Sequence, residues 1–330
     1  MTMTHRERIE TAIRREKPDH VPIALWRHFP KMDESAEGLA KAVIDFQKRF
    51  DFDLVKVTPA SGYPAEAWGA ELVNRQNNSE GTREYLKRVI ASAEEWHALP
   101  PLDVLLGVWA RELKALQLVR AGVGADIHLL QTIFSPLTIA KQLAGDLMLQ
   151  HMRSDPEDFK KGLRVISETT ARFALECLWH GADGIFFATQ FASRDLLSVD
   201  EYKEFGIEFD LPIFEVIGDD SKLNLLHLHG TNPMFEILNA YPVHIVNWHD
   251  RGTSPSLADG QKLFHNGAVL GGLHRIETFA QGSPEEVQAE VRDAIAQTSG
   301  QGVIIGAGCV SLVTTPDLNV QAAIREVRSS

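Results

Sequence analysis

The 330-residue chain has little cysteine: Cys177 and Cys309 are too few for a disulfide framework, and a reducing compartment is the simpler setting. No apolar run approaches the roughly 20 residues that a membrane helix needs, so neither a span nor a membrane partner is expected. The stretch from Met1 to Arg15 mixes Glu7 and Glu10 with its basic residues and lacks an apolar core, so it reads as neither a secretory signal nor a transit peptide. A cytoplasmic location is the resulting expectation. Cations are outnumbered, with 33 Lys and Arg against 45 Asp and Glu and a formal charge of −12. That balance argues against nucleic acid as a partner, because phosphate binding needs clustered cations. Low-complexity tracts and close repeats are missing, and so is a Gly-rich phosphate loop, since Gly271-Gly272 is no nucleotide signature.

What the chain does have is 44% apolar and 24% charged residues, proportions that suit a large buried core. Short apolar runs alternate with amphipathic ones. The strand-like runs are Val21–Trp26, Asp53–Thr58, Ile127–Thr132, Gly184–Ala188, Leu223–His229, Val243–Trp248, Ala268–Gly271 and Val303–Gly306. Helical patterns cover His5–Arg15, Glu34–Phe50, Leu105–Ala121, Leu137–Arg153, Pro156–His180, Val199–Val216, Met234–Leu238, Leu257–Phe264, Glu285–Gln297 and Asn319–Arg328. Trp68 to Val89 reads as a hairpin excursion with Gln76-Asn77-Asn78-Ser79 at its tip, followed by a short helix at Ala93–His97. Apolar strands alternating with helices imply a parallel sheet buried on both faces. Eight such units predict an α/β fold: an eight-fold (β/α)8 TIM barrel, one domain over 1–330, with an N-terminal helix and a hairpin-plus-helix insertion after the second strand. A doubly wound open sheet is the competing architecture.

In such a barrel the site gathers at the C-terminal ends of the strands. Five of the 13 histidines, His28, His227, His229, His249 and His274, fall at that rim. His227 and His229 are two apart in one strand, so their imidazoles share a face with Leu225. Two neutral imidazoles converging in this way suit Zn²⁺, and Cys309, after Gly306-Ala307-Gly308, offers a thiolate from the last loop. Those three donors would leave a fourth zinc position open, as catalytic sites require. The bland alternatives are a hydrogen-bonded His-x-His and a Cys309 that merely packs. His249 with Asp250 reads either as a general base with its partner or as part of an ion pair with Arg251. Arg27 either orients a substrate carboxylate or faces solvent, and His274 and Arg275 either bind a carboxylate or lie in a solvated loop. Trp26, His28 and Gln190 are further candidates for contact with a small-molecule substrate.

Several of these residues stand in a familiar order. A short helix leads into Pro18-Asp19-His20-Val21-Pro22 and a strand ending at Trp26-Arg27. Phe134-Ser135-Pro136-Leu137-Thr138 follows the third strand, His227-Leu228-His229-Gly230-Thr231-Asn232 closes the fifth, and Gly308-Cys309 precedes Thr315-Pro316-Asp317-Leu318-Asn319. In these features, from about Arg6 to Val327, the chain resembles the uroporphyrinogen decarboxylase family in its broad sense, which includes zinc-dependent, corrinoid-linked methyltransferases. The fifth-strand run is similar to the methyltransferases' His-x-Cys-Gly-Asn, with His229 in the cysteine's place. The arginine-rich segment of the decarboxylases is reduced to Arg27-His28-Phe29-Pro30. Their aspartate after the second strand has no counterpart in Thr58 to Tyr63, and their late histidine gives way to the Cys309 segment.

The resemblance therefore implies a zinc-dependent methyltransferase with His227, His229 and Cys309 as ligands. Its methyl donor would be a corrinoid on a partner protein or a small methylated compound. A carboxy-lyase using Arg27, His28 and Arg275 is the alternative, and a non-catalytic binding subunit is a further one. A homodimer is the base-rate expectation for assembly.

Overall fold

The computed structural model describes residues 2–74 and 78–329; Gln76 and Asn77 of the expected hairpin tip lie outside the described residues. The strands are β1 (Leu54–Val57), β2 (Glu71–Asn74), β3 (Arg83–Lys87), β4 (His128–Phe134), β5 (Gly184–Thr189), β6 (Leu225–Leu228), β7 (Ile245–Trp248), β8 (Ala268–Leu273) and β9 (Val303–Ala307). Seven of them form one parallel sheet in the order β1-β4-β5-β6-β7-β8-β9, curled into a barrel with helices outside. Every residue of these seven strands is buried except Phe134, which is why they read as continuous apolar runs rather than alternating ones.

The expected first strand is corrected. Val21–Trp26 forms no regular strand; it is an extended segment joined to the sheet by isolated bridges, Ile23 to Ile305 and Arg27 to Ser311. Pro22 has no N–H to give to a ladder, but its carbonyl accepts from Ile305 N at 2.8 Å, and Ala24 N donates to Ile305 O at 2.9 Å. On the other side Asp53 N, just before β1, donates to Ile23 O at 2.9 Å. The segment is thus the eighth stave, closing the barrel between β9 and β1.

Asp53 holds that closure. Its carboxylate accepts from Ile23 N at 2.9 Å, from His5 Nδ1 at 2.8 Å and from Arg8 Nη1 at 2.5 Å. Arg8 also reaches Asp19 at 2.8 Å, so a buried ion pair ties the N-terminal helix, His5–Ile13, to the barrel floor. Thr4 and Glu7 cap this helix reciprocally, and its Ile9 and Ala12 join Leu54, Leu130, Leu225, Ile245 and Ile304 in the barrel's interior cluster.

Other departures from expectation have local causes. The helix expected over Leu137–Arg153 breaks at Gly145, whose φ of +64° leaves the helical region, into Pro136–Ala144 and Leu147–Ser154. A short helix, Tyr63–Ala67, follows β1 unannounced, and the run at Met234 is a 3₁₀ turn, Phe235–Ala240. Among the described residues no helix is long and apolar enough to cross a membrane. The antiparallel β2–β3 hairpin folds back over the barrel mouth: Val313 N donates to Ser79 O at 2.8 Å, and Arg275 pairs with Glu80.

Asp53→Ala leaves buried Arg8 with Asp19 as its remaining carboxylate partner and Ile23 N without its side-chain acceptor, and should cost about 3–5 kcal/mol in urea unfolding. Lys41→Ala, which breaks only the exposed pair with Asp45, should change stability by less than about 1 kcal/mol.

Candidate active site

Alternation along two neighbouring strands builds the site. In β6, Leu225 and His227 face the barrel interior, and His229 follows just past the strand's end. In β7, Ile245 and Asn247 do the same, and His249 follows. The register sets His227 opposite Asn247. Cys309 arrives from β9, two strands further round, and the intervening distance is closed at Gly308. A Cβ on Gly308 would stand 2.7 Å from His249 Cα and 2.8 Å from Trp248 O, so only glycine lets the last loop cross directly against the end of β7.

Four donor groups result. Cys309 Sγ lies 3.5 Å from His227 Nε2 and 3.6 Å from His229 Nδ1, and His249 Nε2 lies 3.5 Å from His229 Nδ1. One ligand atom from each of His227, His229, His249 and Cys309 falls within 4.8 Å of all the others. His227 and Cys309 are buried, while His229 and His249 are half-buried.

Asn247 orients the innermost ring. Its Nδ2 donates to Leu270 O at 2.8 Å and to Ala307 O at 3.1 Å, so its oxygen must face His227 Nδ1, 2.6 Å away. That oxygen can only accept. His227 therefore always carries a proton on Nδ1, and in its neutral form it turns the lone pair of Nε2 toward Cys309. Burial pushes His227 below its ordinary pKa, against the opposing pull of Cys309. Burial alone would raise the Cys309 thiol, but the field and hydrogen bonds of the surrounding imidazoles outweigh it and hold Cys309 well below the usual thiol range.

His227, His229 and Cys309 open onto a cavity of about 150 Å³ inside the barrel mouth. Trp26, His28, Gln190 and Arg275 line it as well, so these sequence candidates are brought together. His28 is neutral, its pKa lowered to about 4 by burial first and by Lys56 second. Arg275 is bound to Glu80 on the hairpin, and together they form part of the outer wall. His274 is not in this cavity. It lines a neighbouring recess with His249, and its Nδ1 accepts from Glu277 N at 3.0 Å.

Two candidates stand elsewhere. Arg27 points away from the cavity, its guanidinium 5.0 Å from the Phe46 ring centre and 5.5 Å from that of Phe29. With Trp26 and His28 turned inward, the residue between them faces outward. Asp250 turns from His249 and accepts from Gly272 N at 3.0 Å; burial raises its pKa to about 7. It braces the end of β8 and does not face the reacting space. No ion pair joins it to Arg251, whose guanidinium meets Gly272 O, Glu290 O and Asp293.

Sequence reasoning passed over Lys56, Asn247 and Glu80. The first two carried a signal: each is a polar side chain within an apolar strand, at the inward-facing parity. Glu80 carried none, because its partner is far away in the chain.

A sequence model of the family described as uroporphyrinogen decarboxylase (URO-D) matches residues 4–330, and the chain belongs to that family. Among curated relatives, methylcobamide:CoM methyltransferase MtbA of Methanosarcina mazei is 20% identical over 97% of this chain and 96% of its own length. Methylcobamide:CoM methyltransferase MtaA of Methanosarcina barkeri is 25% identical over 91% and 86% respectively. A solved methyltransferase from Methanosarcina mazei superposes with a TM-score of 0.85 at 19% identity, covering 99% of this chain and 98% of that one. A B12-independent methionine synthase from Shewanella sp. W3-18-1 gives 0.59 at 14% identity, covering 94% and 96%. At these identities the two solved structures speak to the fold.

In protein stripped of metal by a chelator, thiolate absorbance near 240 nm should persist well below the ~8.5 of a free thiol, and Cys309→Ser should abolish that low-pH signal. Gly308→Ala, which forces Cys309 away from the imidazoles, should move the titration upward.

Proposed function

We propose that this protein is a zinc-dependent methyltransferase that moves a methyl group from a corrinoid, presented by a partner protein, to a small thiol held in the barrel cavity. The observation that carries the reading is the cluster of His227, His229, His249 and Cys309. Three imidazole nitrogens and one thiolate, with no carboxylate among them, form a donor set that suits Zn²⁺. The 3.5 and 3.6 Å spacings of Cys309 Sγ from His227 and His229 are those of atoms sharing a tetrahedral ion, and Asn247 supplies the outer hydrogen bond that fixes a ligand's tautomer. His227, His229 and Cys309 would hold the metal. Zinc, when bound, would lower the pKa of the acceptor sulfur and keep it nucleophilic at neutral pH.

The chain's own residues supply the rest. His249 Nε2, at the edge of the cluster, is placed to take the acceptor's proton. Trp26 and Phe186 wall the cavity with apolar surface and exclude water from it. About 150 Å³ accommodates an acceptor of a few heavy atoms and no corrinoid, so the donor has to be offered at the mouth. The relatives named above as methylcobamide:CoM methyltransferases support this direction of transfer. A carboxy-lyase on this barrel would leave the donor cluster without a task, with Arg27 turned outward and Arg275 already bound to Glu80.

The test is metal analysis combined with turnover. Purified protein should carry about one zinc per chain and demethylate free methylcobalamin in the presence of a small thiol, followed by the corrinoid's visible spectrum. Asn247→Leu should weaken zinc about 10–100-fold, and Cys309→Ala should weaken it further and abolish transfer. A folded wild type that neither holds zinc nor acquires it on incubation would overturn the proposal. Zinc without turnover on any thiol would leave a binding subunit.

A further inference from the structure

The long helix Pro156–Trp179 turns Phe159, Leu163, Ile166 and Phe173 into the core. Its other side carries Lys161, Val165, Glu168, Arg172, Leu175 and Trp179, alternately four and three residues apart, so the six share one stripe of the helix. Lys161, Glu168, Arg172 and Trp179 are exposed, and Val165 and Leu175 are half-buried. Trp179 leaves 65% of its surface in water, although tryptophan is among the residues most buried on average. Beside it the loop 101–105 exposes Leu105, at 54%. Helix and loop enclose a groove of about 550 Å³, apolar at Leu105, Leu175 and Trp179 and charged at Asp103, Arg172 and Glu176. Glu168 and Arg172 are one helical turn apart, yet neither side chain makes an ion pair or hydrogen bond among the described residues. This face is set apart from the donor cluster: the helix leads into the start of β5, so Trp179 lies toward the barrel floor.

The stripe is palindromic in its chemistry. Glu168 and Arg172, Val165 and Leu175, and Lys161 and Trp179 are each centred on Thr170. Two such helices approaching antiparallel, with a two-fold axis at that height, set Glu168 against Arg172, Val165 against Leu175 and Lys161 against Trp179, each pair formed twice. The first is an ion pair, the second an apolar contact and the third a cation at a ring face. Asp103 and Glu176, in the groove beside Trp179, give the arriving lysine its counter-charge. In the single chain Lys161 holds Asp158 at 2.8 Å, an exposed pair that costs little to exchange. An unrelated protein gains nothing from complementarity about a centre, whereas a second copy presents the same surface in reverse. We propose that this face is a homodimer interface, in which the helix Pro156–Trp179 pairs antiparallel with its counterpart and Trp179 is the anchor. The arrangement points the two barrel mouths in opposite directions and leaves both open.

Analytical ultracentrifugation of the full chain tests this. Wild type should sediment as a dimer at micromolar concentration. Glu168→Arg and Arg172→Glu each place like charges opposite one another twice, and each should raise the dimer Kd by about tenfold or more. The double variant, Glu168→Arg with Arg172→Glu, re-forms both ion pairs and should recover most of the lost affinity. Trp179→Ser should dissociate the dimer. Leu263→Ser, which removes another exposed apolar side chain on a different helix, should leave it intact. Circular dichroism should be that of wild type throughout, because every altered side chain is exposed. A wild type that is monomeric across the micromolar range would overturn the proposal. So would a dimer indifferent to both single charge reversals and to Trp179→Ser, a double variant as weak as the singles, or a dimer that Leu263→Ser disrupts as much as Trp179→Ser does.

Discussion

The hydrogen bond between His227 and Asn247 joins β6 to β7 inside the barrel, and the geometry of the site follows from it. Asn247 has no freedom to turn, because its amide nitrogen is committed to carbonyls of β8 and β9. One side chain thereby couples four staves of the barrel to the protonation of one imidazole. His227 receives a fixed tautomer, Cys309 lies against its Nε2, and His229 and His249 close the ring from the next inward positions. A replacement at Asn247 that kept the volume but lost the amide would leave those carbonyls and the imidazole proton unsatisfied at full burial, where desolvation is most costly.

This rigidity contrasts with the electrostatics around it. The cluster gathers imidazoles around a thiolate, whereas the cavity in front of it holds Lys56 against the rings of Phe186 and Trp26. A buried ammonium without a paired carboxylate is relieved by losing its proton, and burial brings Lys56 down to about 7 against the opposing pull of Cys309. Asp53, another buried charge, is satisfied within the chain by its ion pair with Arg8 and its bond from Ile23, and its work is to close the barrel floor.

The facing of the histidines was legible in the sequence because strand alternation is local. Residues two apart share a side, so His227 and His229 were placed together from spacing alone. The same rule, applied strictly to Trp26-Arg27-His28, turns Arg27 outward. The strand-like run stops at Trp26, before that triplet is complete, and Pro22 makes the stretch irregular. Lys56 and Asn247 were overlooked because a lone polar residue in an apolar strand resembles noise until the barrel shows that its neighbours all point into one hollow. Alternation also says which face a residue takes but not what meets it there. The approach of Cys309 to His249 depends on a backbone crossing at Gly308, and the pairing of Arg275 with Glu80 spans 195 positions, so neither leaves a local trace. Helix breaks such as Gly145 were missed for the opposite reason: hydrophobic spacing continues across them while the backbone does not.

The hairpin after β1 touches the barrel mouth through Ser79, Glu80 and Gly81, while the donor cluster is rooted in β6, β7 and the exit of β9. The outer wall of the cavity is thus built from a part of the chain that shares no strand with the groups at its base. A register slip of one residue in β6 or β7 would turn the imidazoles out among the helices. The hairpin pairs with no stave of the sheet, so exchanges among its exposed side chains leave the strand register untouched. Divergence in what the barrel admits can therefore proceed by trading hairpin tips, while the chemistry beneath is inherited intact.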